Sequence, residues 1–217
     1  MVSTPIGNLR DITLRAIDTL KNVDCVVCED TRVTLKLLNR LEIKKPLISY
    51  HARSREQVVK KIGNMVREGR SIALVTDSGT PAVSDPGAGL IGHLVRLNVK
   101  IVPVPGPSSV HAVLAASGIS FAEYSFQGFV SNKRSRRKKM LSALKTRRTV
   151  LVFFESPHRV LSFLEDAREI YGPVRACIGK EMTKKFEKFY RGDIGEILGM
   201  ITQDGAKGEY TIVIDNR

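Results

Sequence analysis

The sequence predicts an α/β protein built as two α/β domains. Short Val- and Ile-rich runs recur along the chain, and helical patterns with readable ends separate them. The segments that follow the runs are dense in Pro, Gly and small hydroxyl residues.

In chain order, Asp11 precedes a helical pattern with Ile12, Ala16, Ile17 and Leu20 on one face. Cys25–Cys28 reads as a first buried strand. Ser54 and Gln57 form a capping box ahead of Val58, Ile62 and Met65, and Gly69 ends that helix. Ser71–Thr76 reads as the next strand. Asp85 and Pro86 suit the N-cap and first helical position before Leu90, Ile91 and Leu94. Val99–Val104, Thr149–Phe154 and Tyr210–Ile214 complete the strands, with Val174–Ile178 a weaker run. Ser156 and Pro157 repeat the start signal before Val160, Leu161 and Leu164, and Gly172-Pro173 is the stop. Asp193 opens a last short helix with Ile197, Leu198 and Ile201. Most of the runs lack strict alternation, as strands covered on both faces do. The pattern breaks between about Ser117 and Val130, where Gly118, Gly128 and three Phe show no period. A hinge is placed there, giving domains 1–117 and 124–217.

Composition narrows the class. An apolar fraction of 42% supports a core and excludes a disordered polycation. No apolar run approaches 18 residues, so no membrane-spanning helix is expected. No apolar stretch follows basic residues at the start, so no secretory signal is expected. Cys25, Cys28 and Cys177 make no disulfide framework, and a reduced cytoplasmic protein is expected. The net charge of +13 is concentrated. Nine cations fall between Ser131 and Arg148 with no acid among them, and the other 199 residues carry +4. Such a patch points to a polyanionic partner, with a solvated basic helix as the alternative.

In α/β sheets ligands bind beyond the carboxyl ends of strands. Four loops stand out: Thr4-Pro5-Ile6-Gly7-Asn8, Asp77-Ser78-Gly79-Thr80-Pro81, Pro105-Gly106-Pro107-Ser108-Ser109 and Glu155-Ser156-Pro157-His158-Arg159. Gly lets a ligand approach the backbone and Pro fixes the loop, although either also serves an ordinary turn. Glu29-Asp30-Thr31-Arg32 follows a strand directly, so Asp30 is either a helix cap or a ligand contact. Lys180-Glu181-Met182-Thr183-Lys184 is similarly placed, or is an exposed turn. The G-x-G-x-x-G at Gly87–Gly92 lies ten residues past a strand and inside a helical pattern, so it is not a dinucleotide fingerprint. Cys25 and Cys28, three apart on a strand, face opposite ways and have no second pair for zinc. No metal site is expected.

These motifs, in this order, resemble those of the bacterial small-subunit ribosomal RNA cytidine 2′-O-methyltransferases of the tetrapyrrole-methylase superfamily. The motifs are Thr4–Leu9 with Asp11-Ile12-Thr13, Glu29–Arg32, Asp77–Pro81, Ser84–Gly87, Pro105–Ser108, Phe153–Arg159 and Lys180–Lys184. The resemblance implies S-adenosylmethionine as cofactor, a cofactor cleft between two α/β domains, a homodimer, and ribosomal RNA or the small ribosomal subunit as partner. It also implies cofactor contacts at Pro5, Ile6, Gly7, Asp77, Gly79, Thr80, Pro81, Val83, Ser108, Ser109, Phe154 and Glu155, with Gly179 and Glu209 as looser matches. Only Met1, Val2 and Ser3 precede the Thr-Pro motif, so a short first strand is expected. Thr80 stands where the superfamily has Asp.

Methylation of a ribose 2′-oxygen requires a proton acceptor within hydrogen-bond reach. Asp30, Asp77 and Glu181 are the candidate bases, unranked, with Arg32 or Lys180 to steady negative charge. Lys133, Arg134, Arg136, Arg137, Lys138 and Lys139, with Arg159, form the expected RNA contact. Two other functions compete: methylation of a macrocycle or protein side chain on the same fold, and cofactor-free RNA binding. The first leaves the clustered cations without a purpose, and the second leaves the loops without one.

Overall fold

The computed structural model describes residues 1–51 and 56–217, which form two compact units, Met1–Ser108 and Ser109–Arg217. In the first unit a 3-10 turn, Leu9–Asp11, leads to α1 (Leu14–Asn22), β1 (Cys25–Cys28), α2 (Thr31–Arg40), β2 (Leu47–Ser49), α3 (Glu56–Arg67), β3 (Ile72–Leu74) and α4 (Ala88–Arg96). The sheet order is β2-β1-β3, all parallel. Side chains of β1 alternate between two cores. Val26 and Cys28 pack with Ala16, Leu20, Leu38 and Ala73, while Val27 packs with Ile62, Leu74, Leu90 and Leu94. This is the two-faced burial expected of an unalternating apolar run.

Met1–Thr4 runs beside β3. The Val2 N–H donates to Leu74 O, the Ser3 N–H to Val104 O and the Val104 N–H to Met1 O. The expected strand Val99–Val104 pairs as a ladder only at the Val2–Val104 bridge. Val99, Ile101 and Val104 mark packing against the core, not extended pairing, and Val102 is exposed.

The second unit contains α5 (Ser109–Ala116), β4 (Tyr124–Phe129), α6 (Arg134–Lys145), β5 (Val150–Glu155), α7 (Val160–Tyr171), β6 (Arg175–Lys180), β7 (Lys188–Asp193), α8 (Ile194–Asp204) and β8 (Tyr210–Asp215). The sheet order is β4-β5-β8-β6-β7. Only β4 and β5 pair in parallel. One face carries Leu151, Phe153, Ile178 and Ile212 against Leu141, Phe163, Leu164 and Ile197 of the helices. The other carries Val150, Val152, Cys177 and Val213 against Val110, Val113 and Leu114 of α5. The units part at Ser108, whereas the sequence analysis carries the first domain to Ser117, because α5 buries its apolar residues against the second sheet.

Several element ends differ from expectation. Thr13, not Asp11, caps α1, accepting the Ala16 N–H at 3.1 Å. Gly87, not Asp85, caps α4; its φ of 139° suits glycine, and an added Cβ would lie 3.2 Å from Leu74. Arg159, not Ser156, caps α7, because a turn over residues 156–159 precedes the helix. The capping box at Ser54 and Gln57 involves Ser54, which lies outside the described residues. Asp193 and Glu196 do form a reciprocal capping box at α8. β4 occupies much of the segment read as a hinge, and β2 and β7 were not expected.

Candidate functional site

In the first unit the loops after β1 and β3 emerge at one sheet edge. The buried Thr76 hydroxyl donates to Glu29 Oε2 at 3.3 Å, and Thr76 also hydrogen-bonds Asp85. Asp77 Oδ1 accepts the Asp30 N–H at 3.1 Å. Four carboxyl groups therefore share this edge in unlike environments. Hydrogen bonds from Arg32 hold the Asp30 carboxyl down at about 2. Burial, with the Asp30 charge beside it, raises Asp77 despite the Asp30 N–H. Burial, and then the Glu29 charge, pushes Asp85 up to about 6.

The raised Asp85 value has a stability consequence. Its unfolded value is near 3.8, so the penalty for ionising it in the fold develops as pH rises through 3.8 and is complete above about 6. Asp85→Asn is expected to raise the melting temperature at pH 8 and to change it little at pH 3. Thermal unfolding monitored by circular dichroism at both values checks this.

Three of the Pro/Gly loops lock together in this unit. The Thr4 and Gly79 backbones exchange hydrogen bonds of 2.9 and 3.2 Å, and Thr4 Oγ1 donates to Thr76 O at 3.1 Å. Ser3 Oγ lies 3.0 Å from Thr80 Oγ1. Gly79 has φ of 82°, and an added Cβ would stand 3.5 Å from Ile6; one on Gly106 would come within 2.9 Å of Ser3 Cβ. Ala82 and Ser84 hold φ of 67° and 64°, backbone strain of the kind that clusters at functional sites.

In the second unit the carboxyl ends of β5 and β6 and the amino end of β8 meet at one edge, where Glu155 and Lys180 both pair in register with Tyr210. Glu155 is buried, and burial pushes its carboxyl up. Its Oε1 takes the Ser156 N–H and an ion pair from Arg159 at 2.7 Å, while Oε2 has no partner. Phe154 stacks edge-on to Phe126, with ring centroids 4.9 Å apart. Burial works to raise Glu181, but the Glu209 N–H and the Lys184 ammonium hold it below the usual range.

Residues 1–198 match the tetrapyrrole (corrin/porphyrin) methylases. The chain belongs to this family. Two relatives are each named ribosomal RNA small subunit methyltransferase I. The one from Bacillus subtilis is 42% identical over 99% of this chain and 74% of its own length. The one from Thermotoga maritima is also 42% identical, over 100% of this chain and 97% of its own length. Among solved structures, a cobalt precorrin-4 methyltransferase superposes with a TM-score of 0.70 at 18% identity, covering 98% of this chain and 92% of that one. A diphthine synthase gives 0.71 at 13% identity, over 97% and 86%. These two share the tetrapyrrole-methylase fold with this α/β chain.

Within this methylase the expected site residues separate into groups. Pro5, Ile6, Gly7, Asp77, Gly79, Thr80 and Pro81 belong to the locked loops of the first unit, with Val83 exposed, while Asp30 caps α2, with Arg32 in its first turn, and donates its N–H to Asp77. Ser108 ends the first unit and Ser109 opens α5. Phe154, Glu155, Gly179, Lys180, Glu181 and Glu209 share the second unit's sheet edge. Gly179 has a local reason, since a Cβ there would meet Met182 Sδ at 2.5 Å.

The basic set requires correction. Arg137 is 3% exposed and paired with the fully buried Asp166 at 2.6 Å, so it is internal. Arg134 also bonds Asp166, Lys138 pairs with Glu169, and Arg159 is tied to Glu155 and Val130 O. Lys133, Arg136 and Lys139 are the exposed members with no ion pair described. An acid-free segment of sequence is thus not an acid-free surface: α7 supplies the counter-charges. Sequence reasoning named Glu29 only as part of the Glu29–Arg32 motif and passed over Asp85 as a site residue. Asp85 was read as a cap, and its link to Thr76 nine residues earlier was the missing signal.

Proposed function

We propose that this chain transfers the methyl group of S-adenosylmethionine to the ribose 2′-hydroxyl of a cytidine in small-subunit ribosomal RNA. The observation that carries this reading is full-length similarity to the named methyltransferases, together with Asp77, an acid of raised pKa, set among the locked loops. The donor set suits a cationic, hydroxyl-rich cofactor. In the first unit Glu29, Asp77 and Asp85 present carboxylates, and Ile6 and Val83 offer apolar surface. When bound, S-adenosylmethionine supplies an electrophilic methyl group on a sulfonium.

Asp77 would accept the 2′-hydroxyl proton, leaving the oxygen able to take the methyl group that bound S-adenosylmethionine would supply. Asp30 and Glu181 suit this less, because Arg32 and Lys184 hold them as weak bases. Arg32, 85% exposed in its side chain, is free to reach a phosphate with the nitrogen not held by Asp30. The loops fix these groups before the RNA arrives, which lowers the entropy cost of alignment. The enzyme acts in the cytoplasm as a homodimer, the arrangement its family resemblance implies.

Tritium transfer from labelled S-adenosylmethionine to naked RNA, small subunits and 70S ribosomes, followed by mapping of the label, tests the reaction and the substrate together. Label on a cytidine ribose is the expected result. Label on a base or on ribosomal protein overturns the assignment.

Lys133, Arg136 and Lys139 hold the RNA backbone. Replacing all three by Gln is expected to reduce the slope of log affinity against log salt by about 2, at roughly 0.7 per phosphate contact for single strands. Cofactor affinity and melting temperature should not move, because none of the three has a described ion pair. Filter binding across a salt series checks it.

A further inference from the structure

The turn between β6 and β7 carries an unusual side chain. Phe186 is 70% exposed, the most exposed aromatic among the described residues that stand out as large exposed hydrophobics. Leaving a ring of this size in water forgoes a burial gain. The turn is not loose. The Glu181 N–H donates to Glu209 O at 3.0 Å, the Lys184 N–H to Glu181 O at 3.0 Å, and the Glu187 N–H to Lys184 O at 3.1 Å. The Thr183 N–H donates to the Glu187 carboxylate at 2.6 Å. Lys184 bridges Glu181 and Glu209, and Met182 is buried beneath. The tip is therefore rigid and presents the ring to solvent.

The surroundings of the ring are charged, not apolar. Lys185 Nζ lies 5.6 Å from the ring centroid, within cation–π range. Lys184, Glu187 and Lys188 complete its neighbours along the turn. A contact for another protein would sit in a contiguous apolar patch. An exposed ring with a cation over it fits a nucleobase, whose face stacks on the ring while its phosphate meets the ammonium. The turn leaves the carboxyl end of β6, the edge that also carries Phe154, Glu155 and Tyr210.

We propose that Phe186 is a stacking platform for an unpaired base of the RNA, with Lys185 contacting the adjoining phosphate. This rests on the reading of the chain as an RNA methyltransferase. Stacking requires a π-face, so the test compares Phe186→Ala, Phe186→Leu and Phe186→Trp. The expected result is a KM for the RNA substrate about tenfold higher for Ala and Leu, with Trp within about threefold of the parent. Affinity for S-adenosylmethionine and melting temperature should stay at parent values in all three. An oligonucleotide carrying 2-aminopurine should lose fluorescence on binding the parent and the Trp variant, and not the Leu variant. If Leu restores KM and binding as well as Trp, the ring serves a generic apolar contact and the proposal fails. Parent-like behaviour of all three variants also overturns it. If the parent methylates no RNA, the functional reading fails instead, and the 2-aminopurine signal still reports whether Phe186 stacks.

Discussion

Asp166→Ala is expected to destabilise the second unit by about 3–5 kcal/mol, the cost of leaving a buried charge unpaired. Asp166 is fully buried and receives Arg137 at 2.6 Å and Arg134 at 2.8 Å. Arg137 cannot reach water without moving α6 off α7, and its remaining hydrogen bond, to Ser162 O at 3.3 Å, does not neutralise it. Urea unfolding followed by circular dichroism checks the magnitude. Arg136→Ala, from the exposed side of the same helix, should stay within about 0.5 kcal/mol. Replacing Arg137 and Asp166 together by Met and Leu should recover most of the loss, since apolar side chains can fill the space of a buried pair. An Asp166→Ala variant as stable as its parent would falsify the internal role given to Arg137.

Asp77→Asn should lower kcat at saturating cofactor by at least about 100-fold, because general-base catalysis contributes on this scale. Asp30→Asn and Glu181→Gln should cost less. The pH dependence carries the sign. Burial raises the Asp77 carboxyl, so the parent loses the ionised base as pH falls through that raised value, and kcat falls with it. The residual activity of Asp77→Asn should be flat over the same range. Single-turnover methyl transfer at saturating cofactor between pH 4.5 and 8 measures both. A kcat for Asp77→Asn within threefold of the parent removes Asp77 as the base.

How much was legible in the sequence depended on whether the cause was local. The apolar runs Cys25–Cys28, Thr149–Phe154 and Tyr210–Ile214 locate β1, β5 and β8 because strands buried on both faces must be apolar throughout. Edge strands lack that requirement. β7, Lys188–Asp193, is an edge strand with Lys188 and Arg191 exposed, and β2 is three residues long. β4 is concealed by a bulge between Phe126 and Gly128, which breaks its period of two. The Pro/Gly loops and Asp77 were readable as a site because their chemistry is local to each loop. Asp85 and Arg137 were misread for the opposite reason. An Asp before a Pro is a sound capping signal, and nothing within a few residues announces the Thr76 hydroxyl. Nor does a run of six cations in seven residues announce Asp166, some thirty positions later.

That delay has a consequence for how the chain comes together as it is made. Lys133 and Arg137, and Arg134 and Lys138, stand one helical turn apart, so α6 repels itself as an isolated helix. It is synthesised before α7, and the carboxylates that quiet it, Asp166 and Glu169, arrive later. The docking of α7 buries Arg137, pairs Arg134 and Lys138 with Asp166 and Glu169, and leaves Lys133, Arg136 and Lys139 exposed with no ion pair described.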